Sequence, residues 1–241
     1  MTKQQSRRLT GIRGKFLFGL AAILVFFSTL VSVTIYFFQK QALEEEAYRQ
    51  ASLIMTAMDA SRGYVRGVLR PKMYEVLGED DFILEAMSSS YISRAIMELV
   101  SNEIDDFSYR RVSINARNPK YEAGVLEQEM IRYFADNDHV KEWHDIIENE
   151  TGERIFMQFQ PVKFNQSCLH CHGKPEDAPL KIIDNYGKQR GFYRQAGQVA
   201  GVVSVGLPVD LNLIKIKEFA IVVFSTVVPS ILMLYIVISL F

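Results

Sequence analysis

Five consecutive residues hold most of this chain's capacity for metal chemistry. Cys168, Leu169, His170, Cys171 and His172 include both cysteines of the 241-residue sequence and two of its four histidines. The order is C-x-x-C-H, the attachment pattern of c-type haem. Two thiols about one helical turn apart can each close a thioether on a haem vinyl group, and the imidazole behind the second thiol is thereby set against the iron. On that reading one haem c is bound covalently through Cys168 and Cys171, with His172 as the proximal iron ligand. Three other readings compete. A structural zinc wants four protein ligands, so Cys168, Cys171 and His172 would have to recruit His170, His139 or His144. A redox-active Cys-x-x-Cys pair normally opens a helix after a βαβ strand, which "PVKFNQ" resembles only weakly. Chance co-occurrence is the third.

The elements that position this cluster begin with two membrane segments. Hydrophobic residues make up 49% of the chain and charged residues 23%, a combination that suggests a polar domain joined to membrane spans. Phe16 to Phe38 and Phe219 to Phe241 each run 23 residues without a charge, and about 20 apolar residues cross the hydrocarbon core. A signal peptide is the alternative for the first run, but its apolar length exceeds that of a signal core and no small-residue cleavage site follows. Lys3, Arg7, Arg8, Arg13 and Lys15 precede the first span, and the acidic "QKQALEEEAYRQ" follows it. The positive-inside rule therefore predicts residues 1–15 in the cytoplasm, spans at 16–38 and 219–241, and residues 39–218 outside. In a bacterium this is an inner-membrane protein with its main domain in the periplasm, where two idle thiols are unexpected. A net charge of −1 and no basic stripe in the outer domain speak against nucleic acid.

The outer segment opens as helix. Leu43, Ala47, Gln50, Ile54, Ala57, Ser61, Tyr64 and Val68 trace a heptad-like seam that Pro71 is expected to end, packed on its own domain or against a second copy, so that a homodimer is expected. "DDFILEAMSSSYISRAIMELVSNE" reads as helix broken at Ser88 to Ser90. "YRRVSINARNP" reads as a strand running into a turn at Asn118-Pro119, and "EAGVLEQEMIRYFADN" and "HVKEWHDIIENE" as two helices. "ERIFMQFQPVKF" and "QVAGVVSVGLPVD" alternate and carry β-branched runs, as strands do. The fold class is α+β.

Three ordered blocks, "RRVSINARNPKYEAGVLEQE", "FQPVKFNQSCLHCHGKPEDAP" and "GFYRQAGQVAGVVSVGLPV", with the Arg70-Pro71 element, resemble the c-haem-binding PAS-like sensor domains of bacterial histidine kinases, chemoreceptors and nucleotide cyclases. The resemblance implies a PAS-like antiparallel sheet with flanking helices, haem on Cys168 and Cys171, and His172 on the iron. It places Arg117 and Asn118, the "RNP" position, near the haem. Arg117 then pairs with a propionate or, alternatively, is a surface arginine at a turn. Some members of that family take a distal ligand from a third cysteine in the N-terminal helices, and this chain has none. Met73 is the first candidate for the distal position, followed by Tyr64, Met130, Met157, His139 and His144, unless the position is open or holds water. His139 and His144 read as solvent-exposed on a charged helix, and Met130 and Met157 as core.

The leading functional expectation is a sensory input module answering a redox change or a small gaseous ligand and relaying it through the membrane helices. A membrane-anchored single-haem electron carrier with a redox partner is the alternative. A peroxidase is the third, lacking a visible distal acid–base group. The final residue, Phe241, falls inside an apolar run with no basic anchor, which suggests a piece of a longer receptor with an output domain.

Overall fold

The computed structural model describes residues 12–78, 81–104, 107–149 and 151–240. Lys3, Arg7 and Arg8 of the basic N-terminus lie outside them. The described residues fall into two units, 47–208 and a second that groups the segments before residue 47 and after residue 208.

Helix α1 (Ile12–Tyr64) widens into a π-turn at Val65–Leu69 and resumes as α2 (Arg70–Leu77). Pro71 does not end the run as expected. It sits in the first turn of α2, where its missing N–H costs least. The carbonyl four residues before it belongs to Gly67, inside the π-turn, where the ordinary i→i−4 ladder is already opened. The packed stripe of α1 in the domain unit is Ala47, Ala51, Met55, Met58, Arg62 and Val65, all buried. The expected seam is therefore displaced around the helix: Gln50, Ala57, Tyr64 and Val68 are exposed. The serine-rich break is present, since Ser88 is extended and its hydroxyl accepts from Tyr91 N–H at 3.2 Å, separating α3 (Leu84–Met87) from α4 (Ser89–Glu103).

Strand β1 (Ser108–Ser113) is followed by α5 (Val125–Asp136), β2 (Trp143–Glu148), β3 (Arg154–Lys163), the short helices α6 (Leu169–His172) and α7 (Leu180–Tyr186), and β4 (Val199–Pro208). The sheet is antiparallel throughout, in the order β1-β4-β3-β2. This is an α+β fold with a four-stranded antiparallel sheet and flanking helices. The segment expected as a second charged helix is strand β2, paired with β3 from Trp143 opposite Phe159 to Glu148 opposite Arg154. His144 is thus a strand residue, its ring 4.8 Å from that of Tyr48 and 5.8 Å from that of Phe156.

Alternation gives the sheet two different faces. Val112, Phe159 and Val202 point one way and pack under Met130, Ile131 and Phe134 of α5. Arg110 on that face forks onto Glu127, which also accepts from Gly124 N–H at 2.7 Å. The opposite face meets α1 through polar contacts. The fully buried Gln158 donates to Ser52 Oγ at 3.2 Å and to Glu142 at 3.1 Å, and Arg62 donates to Tyr109 Oη at 2.9 Å. Gln158 and Arg62, both buried, thus find partners here, as burial requires.

The terminal unit holds the start of α1 and the helix α8 (Asp210–Leu240), each long and apolar enough to cross a membrane. Phe16, Phe18, Phe38 and Met233 are about 70% exposed, a distribution that suits an apolar surround. The hydroxyls of Thr29, Thr34, Thr226 and Ser230 donate to the carbonyl four residues back, which leaves no donor of theirs facing that surround.

Candidate functional site

The connection between the paired strands β3 and β4, residues 164–198, carries the cysteines. Asn165 starts it, its side-chain oxygen accepting from Cys168 N–H at 3.1 Å, the Cys168 thiol at 3.0 Å and the Ser167 hydroxyl at 2.7 Å. The chain then makes a 3₁₀ turn at Gln166–Cys168 and the single turn of α6, which delivers Cys171 and His172 together. Two backbone bonds, Tyr193 N–H to Gly173 O at 2.8 Å and Arg194 N–H to His172 O at 3.0 Å, clamp this turn to the far side of the same connection.

His172 Nδ1 lies 2.8 Å from Gly191 O, and Phe164 covers the imidazole with ring centroids 5.0 Å apart. A carbonyl can only accept, so Nδ1 carries the proton and Nε2 keeps its lone pair. Burial first, and then the Arg117 guanidinium, push the imidazole down to about 4, against the opposing pull of the Gly191 bond. His172 is therefore neutral at physiological pH, in the tautomer that metal ligation needs. Burial pushes the Cys171 thiol up, with Arg117 opposing. Both cysteines are free.

Arg117 donates through Nη2 to Cys171 O and, at 3.5 Å, to Gly191 O, with its guanidinium 4.6 Å over the Phe192 ring. The guanidinium thus braces the backbone on both sides of His172. The loop bearing Arg117 is fixed in turn by Glu122, which accepts from Asn115 N–H at 2.7 Å and Ala116 N–H at 3.0 Å and is paired to Arg190. Asn118 caps the following 3₁₀ turn, accepting from Lys120 N–H at 3.0 Å. Gly191 has φ +74°, and an added Cβ would stand 2.9 Å from Arg117 Cβ. Only glycine combines that backbone angle with that approach.

A cavity of about 380 Å³ opens against Cys168, Cys171 and His172, walled by β1, β3, β4, the π-turn and α7. Arg117 and Asn118 also border it. Met73 packs instead in an apolar cluster with Phe82, Ile182 and Cys171 beside it. Met130 and Met157 belong to the core under α5, as expected, Tyr64 is 60% exposed, and His139 and His144 do not line the cavity. His170 turns away, edge-on to Tyr74 at 6.2 Å. Among the described residues no three His, Cys, Asp or Glu side chains gather as a metal cage. The two cysteines lie on a 3₁₀ turn and a four-residue helix in the connection of two antiparallel strands, not at the opening of a helix after a βαβ strand as a redox pair does. The residues that sequence reading passed over are the arginines of the cavity wall Arg62, Arg66, Arg94 and Arg111, with Arg70 noted only as part of the Arg70-Pro71 element. Arg62, Arg66 and Arg70 stand at spacings of four, one helix face, and that signal was available.

The model of the Tll0287-like family, Tll0287, matches residues 39–208. Among solved structures, that of the cyanobacterial heme-protein Tll0287 aligns at a TM-score of 0.52 and 20% identity, covering 68% of this chain and 95% of that one. That likeness concerns the fold. No curated protein matches the chain.

Gly191→Ala is expected to destabilise the protein by about 1–3 kcal/mol, through a forced left-handed alanine and the displaced Arg117 loop. Chemical denaturation of the purified variant beside the parent checks this, and an unchanged midpoint would show that the Gly191 turn does not hold the site.

Proposed function

We propose, starting from the fact that this chain belongs to the Tll0287-like family, that its domain is a haem-bearing sensory input module. One haem is joined to Cys168 and Cys171 by thioethers, and His172 is its proximal ligand. The observation that carries this reading is the His172 imidazole: neutral, with Nδ1 bonded to Gly191 O and Nε2 left as a lone pair on a cavity that both thiols border. The cavity's charged lining suits a group with two carboxylates, and its apolar members Phe82, Leu84, Ile182 and Val203 suit a macrocycle. When bound, the group supplies a redox-active iron that takes small ligands. Cys168 and Cys171 hold it and fix its registry, Arg117 and Gly191 keep the imidazole oriented, and Phe164 limits water at the ring. Conversion of both cysteines to alanine is expected to remove haem staining from a denaturing gel. A retained stain would end the covalent reading.

The two apolar helices support membrane anchoring, with the domain on the outer face where c-type attachment occurs. Reporter fusions at Lys40 and Ile216 are expected to read periplasm and one at Arg8 cytoplasm. A cytoplasmic signal from either of the first two contradicts the arrangement.

A sensor differs from an electron carrier in the second axial position. None of the six side chains considered for it lines the cavity, which supports a weakly held or open distal site. The reduced protein is therefore expected to bind carbon monoxide, and the oxidised protein imidazole or cyanide, each with a change of spin state. An inert six-coordinate spectrum in both states favours electron transfer, because constant ligation minimises reorganisation.

A further inference from the structure

Among the described residues, seven cationic side chains border the cavity and a single carboxylate, Asp59, stands among them. Two of the seven are paired with a carboxylate, Arg62 with Asp59 at 2.9 Å and Lys163 with Asp138 at 2.5 Å. The other five meet no carboxylate among the described residues. Arg117 donates to backbone carbonyls, and its buried Nε has no partner. Arg70 Nε donates to Met87 O at 2.8 Å and Arg111 Nε to Ser90 Oγ at 3.3 Å, both neutral acceptors. Arg94 lies 3.8 Å over the Tyr121 ring, and its buried Nε has no partner. Glu98, one turn further along α4, is exposed and makes no ion pair with it. Arg66 sits on the π-turn, where the widened ladder carries it to the same wall.

Arg94 and Arg111 repel one another and Arg62. Burial, followed by the charge of Arg62 and then of Arg94 and Arg66, pushes Arg111 down to about 10, against the pull of Tyr109. Enclosed like charges of this kind raise the energy of the folded chain unless an anion offsets them. We propose that Arg66, Arg94 and Arg111 form an oxyanion-binding wall in this cavity, whose guanidinium forks take a carboxylate or a similarly shaped oxyanion. A planar fork matches paired oxygens better than a point charge does, and all three positions are arginine. Such oxygens have two sources. One is the pair of propionates on the haem, in which case the wall is part of the site proposed above and rests on that reading. The other is a free oxyanion entering from solvent.

The experiment uses the full chain in detergent, with Arg66→Gln, Arg94→Gln and Arg111→Gln made singly and together, and sulfate as the probe. Sulfate is titrated calorimetrically into the haem-loaded protein and into the Cys168→Ala/Cys171→Ala form, and resonance Raman spectra of the loaded protein follow the propionate bending bands. Propionates on the wall give sulfate binding to the haem-free form alone and shifted bands in the glutamine variants. A free oxyanion gives sulfate binding to the loaded form, weakened about ten-fold per arginine removed. The proposal is overturned if neither form binds sulfate and the bands do not move. Where a glutamine variant fails to fold by circular dichroism, the lysine variant keeps the charge, removes the fork and is expected to weaken binding all the same. A chain that carries no haem is recognised on the stained gel, and its sulfate titration still decides the wall.

Discussion

The bond from His172 Nδ1 to Gly191 O is the constraint on which the site depends, because it sets the direction of the one imidazole nitrogen left with a lone pair. Its geometry is built from residues far apart in sequence. Gly191 can approach only because it lacks a Cβ against Arg117, and Arg117 is where it is because Glu122 and Arg190 hold the preceding loop. Arg117 then closes the circle by donating to the carbonyls of Cys171 and Gly191. Each member is positioned by another, so the turn carrying the cysteines is rigid although α6 is only four residues long. Underneath lies the β3–β4 pairing, which brings the two ends of the 164–198 connection together at Phe164 and Gln198.

Local chemistry was legible in the sequence, and closure was not. The C-x-x-C-H order depends on nothing beyond five residues. Strands β1, β3 and β4 were legible because alternation and β-branching act within a strand. The segment Trp143–Glu148 misled because Trp143, Ile146 and Ile147 recur at helical spacing amid charge, and its state is decided by pairing with β3 rather than by propensity. Pro71 misled for a related reason: a proline breaks a regular ladder, but the π-turn at Val65–Leu69 is already irregular. Gly191 carried no signal, since its role exists only once Arg117 faces it.

Helix α1 shows how a small error of phase changes the reading of a face. A seam through Gln50, Ala57, Tyr64 and Val68 satisfies a heptad spacing, whereas the buried stripe runs through Ala51, Met55, Met58, Arg62 and Val65. The small residues Ala47 and Ala51 and the flexible methionines suit close contact with a sheet. Arg62 belongs to the stripe only because Asp59 and Tyr109 take up its donors. A buried arginine is invisible to a hydrophobic pattern, so only the spacing of Arg62, Arg66 and Arg70 at four could have pointed to the cavity's cationic wall.

That wall gives the cavity a definite thermodynamic character. Arg94 keeps a buried donor without a partner, and Arg111 is enclosed among like charges, so the folded chain carries a cost that local packing does not relieve. Any anion that binds the folded chain and not the unfolded one removes part of that cost, and binding and folding are then linked. The neutral imidazole of His172 contributes nothing to the repulsion and keeps a lone pair for metal ligation. The imidazole and the arginines therefore make separate demands, the one for a lone-pair acceptor and the others for oxygens with negative charge. A macrocycle with an iron at its centre and carboxylates at its edge answers both demands at once.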